Sequence, residues 1–123
     1  MNGKTFLTIG AISGFLSVAI GAFGAHGLKT KLTPEMLAVF ETGVRYQMYH
    51  ALVLFAVAWA MTRSYENLFA LAGWLFVIGT VVFSGSLYIL ALTSTRIWGA
   101  ITPAGGMLLL LGWLLFILGA FKL

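Results

Sequence analysis

The residues able to do chemistry in this chain are few, and most of them fall in two stretches. The first holds Glu41, Arg45, Tyr46, Gln47 and His50, the second Ser84, Ser86 and Tyr88, with His26 and Thr102 standing apart in sequence. At helical spacing Gly43, Tyr46, Gln47 and His50 share one face, and Glu41 precedes Arg45 by one turn, the spacing of an ion pair. An imidazole at position 50 is the right type of group to act as a general base toward a hydroxyl such as Ser84 or Tyr88. A third member to orient it is missing, because all 3 acidic residues of the chain are glutamates. Serines such as those flanking Gly85 ordinarily bond to a neighbouring backbone when they sit in apolar helices. His26, His50, Glu35 and Glu41 show no recognised ligand spacing on one helix, which argues against a metal site. With 0 cysteines, thiolate catalysis, disulfides and cysteine-bound metal are excluded. The expectation is therefore no enzyme, no metal and no cofactor.

These side chains need an account because of what surrounds them. The chain has 123 residues, of which 61% are hydrophobic and 8% charged, too little polar surface for a soluble globule of this size. Between Lys4 and His26 lie 21 residues without a charge, between Arg45 and Arg63 lie 17, between Glu66 and Arg96 lie 29, and between Arg96 and Lys122 lie 25. Crossing a hydrocarbon core takes about 20 residues, with a range of roughly 17 to 25, so four spans fit and the second fits barely. At the helical rise it reaches only about 25 Å of a core roughly 30 Å thick, which puts Arg45 near or inside the membrane boundary. Snorkelling with Glu41 as partner is the favoured account of Arg45. His50 stands evenly between satisfying a neighbouring hydroxyl and binding something, and His26, beside Gly27, reads as a helix-end residue. The net charge of +4 comes from basic residues scattered one or two at a time, which suits anchoring at anionic headgroups and makes no stripe for nucleic acid.

The elements that must position these groups are read as an all-α integral membrane four-helix bundle in a single domain. Spans are expected over about residues 5–25, 46–62, 68–92 and 102–121, with a short amphipathic interfacial helix over about 34–44 before the second span and Gly43 as the bend between them. The first apolar run is longer than a secretory h-region of about 7 to 15 residues, so an uncleaved helix is expected. Gly3, Gly10, Gly14, Ser17, Gly21 and Gly24 recur at three-or-four spacing, a packing seam for a neighbouring helix. Gly105, Gly112 and Gly119 stand seven apart and form a second seam. Thr33-Pro34-Glu35 spells a helix start, with a capping threonine, a proline in the first turn and an acid at the positive dipole end. Thr102-Pro103 repeats that chemistry ahead of the fourth helix. If both termini lie on one side, nearly all the polar character gathers on the other, and the basic residues split almost evenly between the two, so orientation is nearly unbiased.

Four phrases together are specific: Gly21-Ala22-Phe23-Gly24-Ala25-His26-Gly27-Leu28, Thr42-Gly43-Val44-Arg45-Tyr46-Gln47 with His50-Ala51-Leu52, Phe83-Ser84-Gly85-Ser86-Leu87-Tyr88, and Ile101-Thr102-Pro103 with Gly106. In these, over essentially its whole length, the chain resembles the bacterial family called domain of unknown function 423, which is similar to chordate transmembrane protein 256. The resemblance implies a four-helix protein of the bacterial cytoplasmic membrane and no established activity. Its signature residues draw attention to His26, Gln47, His50, Ser84 and Tyr88.

The function expected is that of a non-enzymatic helical bundle, homo-oligomeric on account of its small interior, whose polar end binds a membrane lipid, a small ligand or a protein partner. The alternative is a small oligomeric transporter or channel in which Arg45, Gln47, His50 and Tyr88 line a path.

Overall fold

A computed structural model describes residues 3–65 and 67–123. Among them the chain forms four helices and no strand: α1 Lys4–His26, α2 Pro34–Met61, α3 Leu68–Thr93 and α4 Ile97–Phe121. Glu66, the charge that marks the start of the third apolar stretch, lies outside the described residues. Three of the helices, α1, α3 and α4, are long and apolar enough to cross a membrane. Large side chains cover their outer faces, Phe15 at 74% exposure and Val81 at 67% among them, a surface suited to lipid rather than water.

Two boundaries differ from the sequence reading. The interfacial helix is not a separate element; Pro34–Met61, with Gly43 inside it, is one continuous helix of 28 residues. Gly43 serves close packing instead, since a Cβ there would lie 2.7 Å from the Tyr88 ring. The start at Thr33 is as expected, with extended backbone and a side chain that accepts the Met36 N–H at 3.1 Å. The second correction concerns Thr102-Pro103. α4 begins five residues earlier, at Ile97, and Pro103 sits inside it. Thr102 cannot cap because its hydroxyl is engaged elsewhere, with Trp98 O one turn back at 3.2 Å and with Ser86 of α3. The amide hydrogen that Pro103 lacks would have bonded Gly99, and membrane helices tolerate such a loss where neighbours hold the turn.

Packing follows chain order: α1 lies on α2, α2 on α3 and α3 on α4, with no comparable contact between α1 and α4. Small residues make each approach possible. On α4 the seven-residue seam meets a seven-residue row of phenylalanines on α3, Gly105 against the Phe83 backbone, Gly112 against the Phe76 ring and Gly119 against the Phe69 ring. Gly3, just before α1, and Gly10 lie against the α2 backbone at Ala58 and Ala51, while Gly21 and Gly24 receive Val44 and Phe40. Gly14 departs from the expected seam, because a Cβ there would meet nothing within 4 Å. Phe6, Phe69 and Phe76 are the largest fully buried side chains.

Candidate functional site

Six of the ten candidate residues are drawn into helix-to-helix hydrogen bonds. Gln47 bridges three helices: its Nε2 donates to Ser13 O of α1 at 3.1 Å, and its Oε1 accepts the Tyr88 hydroxyl of α3 at 2.6 Å. A carbonyl can only accept, so the Ser13 contact fixes which way the amide faces. Ser84 Oγ donates to Gly43 O at 2.7 Å, tying α3 to α2 beneath the Tyr88 ring. Ser86 Oγ and Thr102 Oγ1 lie 2.6 Å apart and tie α3 to α4.

His50 is held at both nitrogens. Nδ1 lies 2.6 Å from Tyr46 O and must be the donor, which leaves Nε2 as the acceptor for the Trp113 indole N–H at 3.1 Å. The ring also packs against Phe76, with centroids 5.7 Å apart. With its lone pair committed to Trp113, the imidazole offers no free base to Ser84 or Tyr88, whose own protons go to Gly43 O and Gln47.

The other candidates are not brought in. His26 is exposed at the end of α1, and Glu41 and Arg45 are exposed on α2. Arg45 donates to Thr42 Oγ1 at 3.2 Å in place of the Glu41 pairing its spacing offers. Tyr46 is 38% exposed and lays its ring 4.8 Å from that of Phe83. Among the described residues no group of three or more His, Cys, Asp or Glu is placed to hold a metal ion.

Beside this network a cleft of about 410 Å³ runs between α1 and α3, with α2 as its floor. Ile9, Leu16 and Ile20 line one wall, Phe76, Val81 and Gly85 the other, and Gln47, His50 and Leu54 the floor. By residue type this lining looks mixed, yet the atoms it presents are almost all carbon. Gln47, His50, Ser84 and Tyr88 turn their polar atoms into the hydrogen bonds above, and Thr80 Oγ1 is buried with no partner.

Sequence reasoning missed Ser13, Thr80 and Trp113. The last carried a legible signal: an indole N–H far inside a charge-free stretch needs an acceptor, and a histidine on another helix is the natural one. The Ser13 carbonyl carried none, because a backbone acceptor is chosen by packing alone.

Comparison with known proteins gives a consistent picture. Residues 20–106 match the family described as Protein of unknown function (DUF423). The chain is 49% identical over 120 residues to the UPF0382 membrane protein SSP2132 of Staphylococcus saprophyticus, covering 98% of this chain and 99% of that one. It is 48% identical to the UPF0382 membrane protein YwdK of Bacillus subtilis, covering 97% and 98%. It is 42% identical to the UPF0382 inner membrane protein YgdD of Escherichia coli K12, covering 100% and 94%. No solved structure matches the chain.

Proposed function

Because the chain belongs to the DUF423 family, whose relatives are named membrane and inner membrane proteins, we propose that it is a four-span, non-enzymatic protein of the bacterial cytoplasmic membrane that holds an apolar membrane ligand in the cleft between α1 and α3. The fourth span in this reading is α2. It lies along both α1 and α3, so a bilayer that receives those two receives α2 with them. Its 28 residues extend about 42 Å, more than the roughly 30 Å of hydrocarbon, and the surplus lets the polar Pro34–Thr42 end project beyond the membrane.

The observation that carries the ligand reading is the mismatch between the residues of the cleft and its surface. Gln47, His50, Ser84 and Tyr88 line it, but their hydrogen-bonding atoms are spent on other partners, and with Thr80 Oγ1 buried this leaves a largely carbon-walled space of ligand size. A path for an ion or polar solute draws less support, since Arg45 lies outside the cleft and Gln47, His50 and Tyr88 present no vacant polar atoms along it. Homo-oligomerisation belongs to the same reading, on the argument that four short helices enclose little interior.

Mass measurement of the intact protein released from lipid nanodiscs tests both parts. The expected result is a multimer in which each chain carries one apolar adduct. Gly85 lines the cleft and a Cβ there would meet no atom within 4 Å, so Gly85→Leu fills the space without disturbing the fold and is expected to lose the adduct. Wild-type protein without an adduct overturns the ligand reading, and a monomer overturns the oligomer.

A further inference from the structure

The polar end of the bundle holds a pocket separate from the cleft. It measures about 410 Å³ and lies where the start of α2 meets the connection between α3 and α4. None of the residues that line it lines the cleft. Glu35 comes from the first turn of α2, Ser94 from the residue that ends α3 and Arg96 from the residue before α4. Thr33 stands beside them with its hydroxyl already accepting the Met36 N–H. Met36, Val39 and Leu90, all half-buried, form the apolar side.

What distinguishes this pocket is a pair of opposite charges that do not pair. Among the described residues Glu35 and Arg96 take part in no ion pair and no side-chain hydrogen bond, and the Ser94 hydroxyl is likewise unengaged. The other charges of that end, Lys29, Lys31, Glu41 and Arg45, do not line the pocket. A lone anion entering it is drawn by Arg96 and repelled by Glu35, and a lone cation meets the reverse. A ligand that carries both signs a few atoms apart satisfies both. We propose that the pocket binds such a zwitterion, an ammonium joined to a phosphate as in the phosphoethanolamine group, with the phosphate on Arg96 and Ser94 and the ammonium on Glu35. The guanidinium fork matches two phosphate oxygens, the carboxylate accepts the ammonium N–H groups, and the apolar side receives the carbons that follow the phosphate.

The same group can arrive from two sources, as the headgroup of a membrane lipid or free in water. Glu35 and Arg96 are exposed and stand outside the long apolar stretches, and charge is expensive in hydrocarbon. The pocket therefore belongs at the membrane surface, within reach of both.

The test places full-length protein in nanodiscs of equal phosphatidylethanolamine, phosphatidylcholine and phosphatidylglycerol and weighs the lipids that stay bound on release. The expected result is phosphatidylethanolamine retained over phosphatidylglycerol, which has no cation, and over phosphatidylcholine, whose quaternary ammonium has no N–H for Glu35. Glu35→Gln should cut phosphatidylethanolamine retention by roughly tenfold, the factor that about 1.4 kcal/mol produces, and remove the discrimination against phosphatidylglycerol. Arg96→Gln should lose both lipids. Both side chains are exposed, so neither substitution disturbs packing. Glu41→Gln is the control, exposed on the same helix and outside the pocket, and should keep the wild-type pattern. Gly85→Leu should keep it too, which separates this site from the cleft. In a second arm glycerophosphoethanolamine is titrated into protein in phosphatidylglycerol nanodiscs. An adduct that Glu35→Gln abolishes shows that the free group suffices, and no adduct beside retained phosphatidylethanolamine assigns the lipid as the source. Equal retention of phosphatidylethanolamine and phosphatidylglycerol by wild-type protein, or retention that both Glu35→Gln and Arg96→Gln leave intact, overturns the zwitterion site.

Discussion

At the scale of single residues, the polar groups in this protein act as fasteners between helices. In lipid the hydrophobic effect does not draw helices together, so packing and interhelical hydrogen bonds carry that task. Gln47 is the most connected, reaching α1 and α3 at once, and Tyr88 and Ser84 close the same joint from the other side. Such bonds contribute about 0.6 kcal/mol on average and up to about 1.7 kcal/mol in membrane proteins. Tyr88→Phe is thus expected to destabilise by about 1 kcal/mol and Gln47→Leu by more, because the latter removes two bonds. A double-mutant cycle on unfolding in denaturing detergent measures the coupling; additive single effects would show that the Tyr88–Gln47 bond does not form. Histidine and arginine in apolar stretches drew attention by type, and one of them, His50, turned out to be a buried member of the network. Arg45 did not, since its side chain faces outward.

Helices in this molecule approach one another through glycine, and the two seams are not equivalent. On α4 Gly112 and Gly119 each receive one α3 ring, and the tightest approach is at Gly105, where a Cβ would press on the Phe83 backbone. Backbone cannot yield as a side chain does. Gly105→Ala is expected to cost roughly 2–3 kcal/mol, the upper part of the overpacking range. The next glycine is the contrast, as a Cβ on Gly106 would lie an ordinary 3.8 Å from the Phe83 ring, so Gly106→Ala should leave the thermal midpoint in detergent nearly unchanged. Equal losses at the two positions would refute the one-sided seam. Spacing in the sequence revealed both seams, but the absence of any neighbour at Gly14 could not be read from it, because a small residue advertises room and not what fills it.

For the molecule as a whole, the proposed four-span topology predicts two classes of position. The chain has 0 cysteines, so single cysteines can be introduced at Thr30, Tyr65, Ser94 and Leu123 and labelled from each side of sealed vesicles. Thr30 and Ser94 should react from one side, Tyr65 and Leu123 from the other; if Thr30 and Tyr65 react together, α2 does not cross. The helical type of the elements and the apolar stretches within them were legible because charge is expensive in hydrocarbon, whereas the joining of residues 34–44 to the second stretch in one helix was not. Helix starts were legible where the signal is local, as at Thr33, and misread at Thr102, where a hydroxyl with capping chemistry is claimed by Ser86 of another helix. Composition and periodicity thus determined by themselves an all-helical membrane protein, its apolar stretches and the residues on its seams. Only the tertiary structure decided where each polar atom points and that a polar-looking group of residues encloses a carbon-walled cleft. The reason is physical: a residue's type sets its capacity for hydrogen bonds, whereas its partners, and the surface left over when they are taken, exist only once the helices meet.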